Sequence, residues 1–78
     1  MNYDLAMMAL EGLARSPLRV EVDKNTLVIE GDGASFKELA RLCLLLGGVQ
    51  TAEDRFELQS GVHVTKGSPP LQLKLRVE

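Results

Sequence analysis

The chain is 78 residues long with a formal charge of −2 and a pI near 5.3, so it presents no electrostatic case for a nucleic-acid or anionic-membrane surface. One domain spanning residues 1–78 is the natural count, and a domain of this size buries only about 60–65% of the surface its unfolded chain exposes. Hydrophobic residues make up 45% of the sequence but aromatics only 4%, with no Trp, so the core must be aliphatic.

Residues 3–15 read as a helix. Asn2 or Asp4 is placed to cap it, and Ala6, Ala9, Leu10, Leu13 and Ala14 recur at helical spacing. Gly12 weakens it by about 1 kcal/mol relative to Ala, and Ser16-Pro17 stops it, because the residue before proline avoids the helical region. Residues 18–30 read as a β-hairpin. Leu18, Val20 and Val22 alternate with Arg19, Glu21 and Asp23, and a turn at Lys24-Asn25 leads into Thr26–Glu30. A two-residue loop opposes Val22 to Leu27 and Val20 to Ile29, all on one face, and Arg19 to Glu30 on the other. Loop length and hydrophobic pattern therefore specify the same register.

Gly31-Asp32-Gly33 breaks the strand, and Ser35 with Glu38 forms an S-x-x-E capping box for a second helix. Its expected core stripe is Phe36, Leu39, Ala40, Cys43 and Leu46, with Lys37, Glu38 and Arg41 in water. Residues 42–46 are apolar all round and need cover on more than one side. Gly47 and Gly48 end the helix. Residues 54–65 read as one long strand, bent at Gly61, with Phe56, Leu58, Val62 and Val64 on its inner face. After a turn at residues 67–70, Leu71, Leu73, Leu75 and Val77 alternate with Gln72, Lys74 and Arg76 in the last strand.

The expected fold is therefore α+β: a two-layer sandwich in the order α-β-β-α-β-β, with a mainly antiparallel four-stranded sheet and the helices on one face. The other face of the sheet would carry Arg19, Glu21, Thr26, Glu30, Arg55, Glu57, Gln59, His63, Thr65, Gln72, Lys74 and Arg76. The apolar run at 42–46 is far short of the roughly 20 residues that span a bilayer. The N-terminus lacks a basic leader and contains Asp4 and Glu11, so a cytoplasmic location is expected.

Chemistry-bearing residues are few. Cys43 is the only cysteine, so no internal disulfide can form, and with His63 as the only histidine a tetrahedral zinc site would need several carboxylates. No metal or cofactor is expected. His63 has no nucleophile placed beside it by sequence, and Cys43, in the expected core stripe, reads as buried and inert. Gly31-Asp32-Gly33 sits where a phosphate loop would, but matches neither phosphate-binding pattern and carries a repelling Asp32. The residues that remain are a mixed-charge face (Arg19, Glu21, Arg55, Glu57, His63, Lys74 and Arg76) and the adaptable pair Met7 and Met8. Both are suited to contact another protein. A small core without a disulfide or metal also points to association, with itself as a homodimer or with another protein.

The segments Leu27-Val28-Ile29-Glu30-Gly31, Phe36 with Glu38-Leu39-Ala40-Arg41-Leu42, Leu44-Leu45, Arg55-Phe56-Glu57-Leu58, and Ser68 with Leu71-Gln72-Leu73-Lys74-Leu75 together resemble small bacterial immunity proteins encoded beside polymorphic toxins. The resemblance covers about residues 18–78. Such proteins often carry a histidine-rich strand where this chain has Arg55 to Leu58, and those histidines are missing here. The N-terminal helix looks like an addition. The resemblance implies a non-enzymatic protein that neutralises a toxin by binding it. Without it, a dimeric regulatory or accessory domain that binds a small ligand is the alternative.

Overall fold

The computed structural model describes residues 2–48 and 54–76. The elements follow the expected order: α1 (Tyr3–Arg15), β1 (Arg19–Asp23), β2 (Thr26–Glu30), α2 (Gly33–Gly47), β3 (Arg55–Leu58) and β4 (Leu71–Lys74). Helix α1 is capped by Asn2, whose side chain accepts from the Leu5 N–H, and buries Ala6, Ala9, Gly12 and Leu13. The first hairpin has the register expected from its loop, from Asp23 opposite Thr26 to Arg19 opposite Glu30. Lys24 and Asn25 both have positive φ, 50° and 68°, the two-residue turn that matches the twist of paired strands.

The sheet is not one four-stranded layer. β1–β2 and β3–β4 are separate two-stranded antiparallel sheets. The reason lies in residues 59–64, where the long strand was expected to continue. There the Gln59 carbonyl accepts from the N–H groups of Val62, His63 and Val64, closing a tight turn. Gly61 adopts φ +81°, and its N–H donates to the Val64 carbonyl at 2.8 Å. The chain therefore coils instead of extending, and Val62 is 41% exposed rather than on an inner face. Among the described residues the first hairpin joins the connection between β3 and β4 through a parallel bridge, Leu18 with Val64. Leu18 N–H donates to the His63 carbonyl (3.0 Å), and Thr65 N–H donates to the Leu18 carbonyl (2.8 Å). Ser68 completes the seam: its buried hydroxyl oxygen accepts from the Val20 N–H at 3.0 Å and lies 2.7 Å from the Thr65 hydroxyl.

The core is aliphatic apart from Phe56. It contains Leu13, Leu18, Leu42, Leu58 and Val64, all at 0% exposure, with Ala6, Ala9, Val20 and Leu46 around them. The first hairpin is covered only at its base. Val20 is buried and Ile29 half-buried, but Val22 and Leu27, expected to face the core with them, are 69% and 60% exposed.

Helix α2 is rotated from its expected setting. Its buried residues are Ser35, Leu42 and Leu46, with Leu39 and Leu45 half-buried, so Phe36, Ala40 and Cys43 lie on exposed positions. The cap explains the change. Asp32, not Ser35, is the N-cap: its carboxylate accepts from Ser35 N–H at 2.8 Å. Placed in the first turn instead of at the cap, the Ser35 hydroxyl lies between two acceptors, 2.7 Å from the Ser16 carbonyl and 2.9 Å from the Asp32 carboxylate, and the first of these contacts ties the end of α1 to the start of α2. Val77, expected to end β4, lies outside the described residues.

Candidate functional site

Residues of helices α1 and α2 line a groove of about 610 Å³. One wall is apolar: Leu5, Met8 and Ala9, from successive turns of α1. The other is the exposed start of α2, with Lys37, Glu38 and Arg41, and Arg15 and Ser16 close one end. Gly12 forms part of the floor because the Glu38 side chain lies across it; a Cβ there would collide with the Glu38 carboxyl end. The helix-weakening glycine thus has a steric reason, and Glu38, expected in water, is only 14% exposed in its side chain. Arg41, one turn on, pairs with the Glu38 carboxylate.

The groove therefore holds three cations and one internally paired anion, in a chain whose net charge is −2. Among the described residues no ion-pair partner stands beside Arg15 or Lys37. An apolar wall faced by a surplus of positive charge is complementary to an amphipathic segment with acidic residues on its polar side.

The residues singled out from sequence fall into separate places. Met8 lines the groove, whereas Met7 is 57% exposed and outside its lining. The mixed-charge face is divided between the two sheets. On the first, Arg19 pairs with Glu21 at 2.9 Å and Glu30 at 3.7 Å. On the second, Arg55 lies 3.6 Å from Glu57, which accepts from Gln72 at 3.1 Å. Lys74 stands directly across from Arg55, and Arg76 follows the end of β4. The first patch thus sets one arginine against two carboxylates, and the second sets Arg55, Lys74 and Arg76 against the carboxylate of Glu57. His63 is half-buried in the 59–64 turn, where its Nδ1 accepts from the Gln59 N–H at 3.0 Å. Burial lowers its pKa below the usual histidine value and keeps the ring neutral. It braces a turn.

Cys43 is exposed, contrary to its expected burial, and lies on the α2 surface beside Leu73 and Leu75 of the second hairpin. The Gly31-Asp32-Gly33 turn spends its anion-binding capacity internally. Hydrogen bonds from the Ser35 backbone and side chain lower the Asp32 pKa, and Gly31 packs so closely on Leu18 and Ser35 that a Cβ would clash. Among the described residues no group of three or more His, Cys, Asp or Glu is arranged to hold a metal ion, and no helix is long and apolar enough to cross a membrane.

The basic wall of the groove was missed because Lys37 and Arg41 look like an ordinary solvated face. The available signal was the run of small residues Ala6, Ala9 and Gly12 along one stripe of α1. Such a stripe lets a neighbouring helix and its side chains approach closely. No protein-family model, curated protein or solved structure matches the chain.

Proposed function

We propose that this chain is a non-enzymatic protein-binding module that takes an acidic, amphipathic segment of a partner protein into the α1–α2 groove. The observation that supports it is the pairing of an apolar wall, Leu5, Met8 and Ala9, with the cationic rim of Arg15, Lys37 and Arg41. Apolar side chains of the partner would pack against Met8, whose unbranched thioether adapts to irregular surfaces. Its carboxylates would meet Arg15 and Lys37. Neutralising a toxin by binding it, which the resemblance to immunity proteins implies, is one form this binding would take.

A labelled synthetic helix with leucines at i, i+3, i+4 and i+7 and glutamates elsewhere is the direct probe, read by fluorescence anisotropy. Binding should weaken about tenfold for Lys37→Glu and for Met8→Asp, and fall with added salt. No binding by the unmodified chain at low salt, or binding unaffected by both substitutions, would overturn the proposal.

A further inference from the structure

The two outer edges of the first hairpin are treated differently. In an antiparallel pair, residues alternate between pointing their N–H and C=O groups at the partner strand and away from it. Leu18 and Val20 point outward, because both make hydrogen bonds to residues 63–68. Val22 is then outward too, and so are the residues opposite, Ile29 and Leu27. The edge of β1 is closed at its base by the 63–68 segment. On the β2 edge, no backbone group of Leu27 or Ile29 has a partner outside the hairpin among the described residues. Edge strands are ordinarily protected by Lys, Pro, a bulge or a covering element. The strand Thr-Leu-Val-Ile-Glu contains no Lys or Pro, and Leu27 on it is 60% exposed.

We infer that β2 is a self-association edge that pairs antiparallel with β2 of a second copy about a two-fold axis at Val28. The register follows from the hydrogen-bonding parity. Only an axis at Val28 opposes both outward residues, Leu27 to Ile29 of the second copy and Ile29 to Leu27, and so joins the four outward N–H and four outward C=O groups of the pair in four hydrogen bonds. An axis at Leu27 would match Ile29 with Asn25, whose φ of 68° takes it out of the strand. An axis at Ile29 would match Leu27 with Gly31, outside β2.

The side chains are compatible with this register. Leu27 comes to lie beside Ile29 of the second copy on the same face. The apolar row Val22, Leu27 then continues into Ile29 and Val20 of the other chain, and the exposed tip of each hairpin packs beside the half-buried base of its neighbour. Thr26 opposes Glu30, and continuing the register sets Lys24 level with Asp32, so no like charges face each other. The product is a continuous four-stranded sheet formed across two chains. It is independent of the groove.

The test is sedimentation equilibrium of the full chain over a wide concentration range, combined with cysteine cross-linking in a Cys43→Ser background. At the two-fold axis Val28 faces itself in a non-hydrogen-bonded pair, where Cα atoms lie about 4.5 Å apart, within disulfide reach. Val28→Cys should give a covalent dimer on mild oxidation, and Met8→Cys on the groove should not. Leu27→Lys should weaken dimerisation about tenfold or more while leaving the circular dichroism spectrum unchanged, since Leu27 is exposed in the single chain. A monomer at all concentrations overturns the inference. So does a dimer that resists Leu27→Lys, or one that cross-links through Met8→Cys and not through Val28→Cys.

Discussion

The two hairpins of this protein are built by different rules. β1–β2 is closed by a two-residue turn and makes its register from adjacent sequence; its tip projects with Val22 and Leu27 uncovered. β3–β4 is closed by residues 59–70, and this long connection reaches back to bind the first hairpin through Leu18, Val20 and Ser68. Its inner residues, Phe56 and Leu58, are both buried. The same period-two apolar pattern thus means core in one hairpin and open surface at the tip of the other. Periodicity states which residues share a face, and only packing states whether that face is covered.

Substitutions across the two hairpins should separate those meanings. Leu58→Ala removes a side chain with 0% exposure and should cost about 2–5 kcal/mol in urea denaturation. Val22→Ala, at an equivalent position of the pattern but 69% exposed, should stay within about 0.5 kcal/mol; equal effects from the two would contradict the difference in cover.

Ser68→Ala attacks the seam between the hairpins. It leaves the buried Val20 N–H without an acceptor, for a loss of about 1–3 kcal/mol. Amide exchange should show faster exchange at Val20, with the paired groups of β3–β4 retaining their protection.

A smaller effect is expected from pH. The folded pKa of His63 lies below its unfolded value near 6.5, so the unfolded chain binds the proton first. This contribution to stability is fully present above that value and is lost as pH falls from it towards the folded pKa. His63→Asn keeps a side-chain acceptor for the Gln59 N–H and removes the titration. Its denaturation midpoint should therefore vary less between pH 7 and pH 5 than that of the unmodified chain.

Asp32 should act lower on the pH scale. Its pKa is depressed by the Ser35 hydrogen bonds, so its cap is present above the ordinary carboxylate range and lost as pH falls through the folded value. Asp32→Asn should keep the cap and flatten that acid limb, as measured by helical ellipticity.

Both helices, the element order and the first hairpin's register were legible in the sequence because each rests on local chemistry: Asn2, Ser16-Pro17, Lys24-Asn25 and Gly47-Gly48. The second helix was placed correctly but rotated, because Asp32 and Ser35 are both good caps and only the contact of Ser35 with the Ser16 carbonyl decides between them. Of the candidate binding residues, Met8 enters the groove through α1, while the Arg and Glu residues on the strands pair with one another. Arg15, Lys37 and Arg41 come together only because α1 and α2 pack side by side.

The sequence alone determined where the chain is helical, where the first hairpin turns, and how β1 meets β2, since those depend on residues a few positions apart. The tertiary structure decided that the strands form two sheets, that Cys43 is exposed, that Gly12 serves as a seat for Glu38, and that the β2 edge meets no backbone partner outside its hairpin among the described residues. Each of these depends on groups far apart in the chain competing for the same hydrogen bonds or the same space.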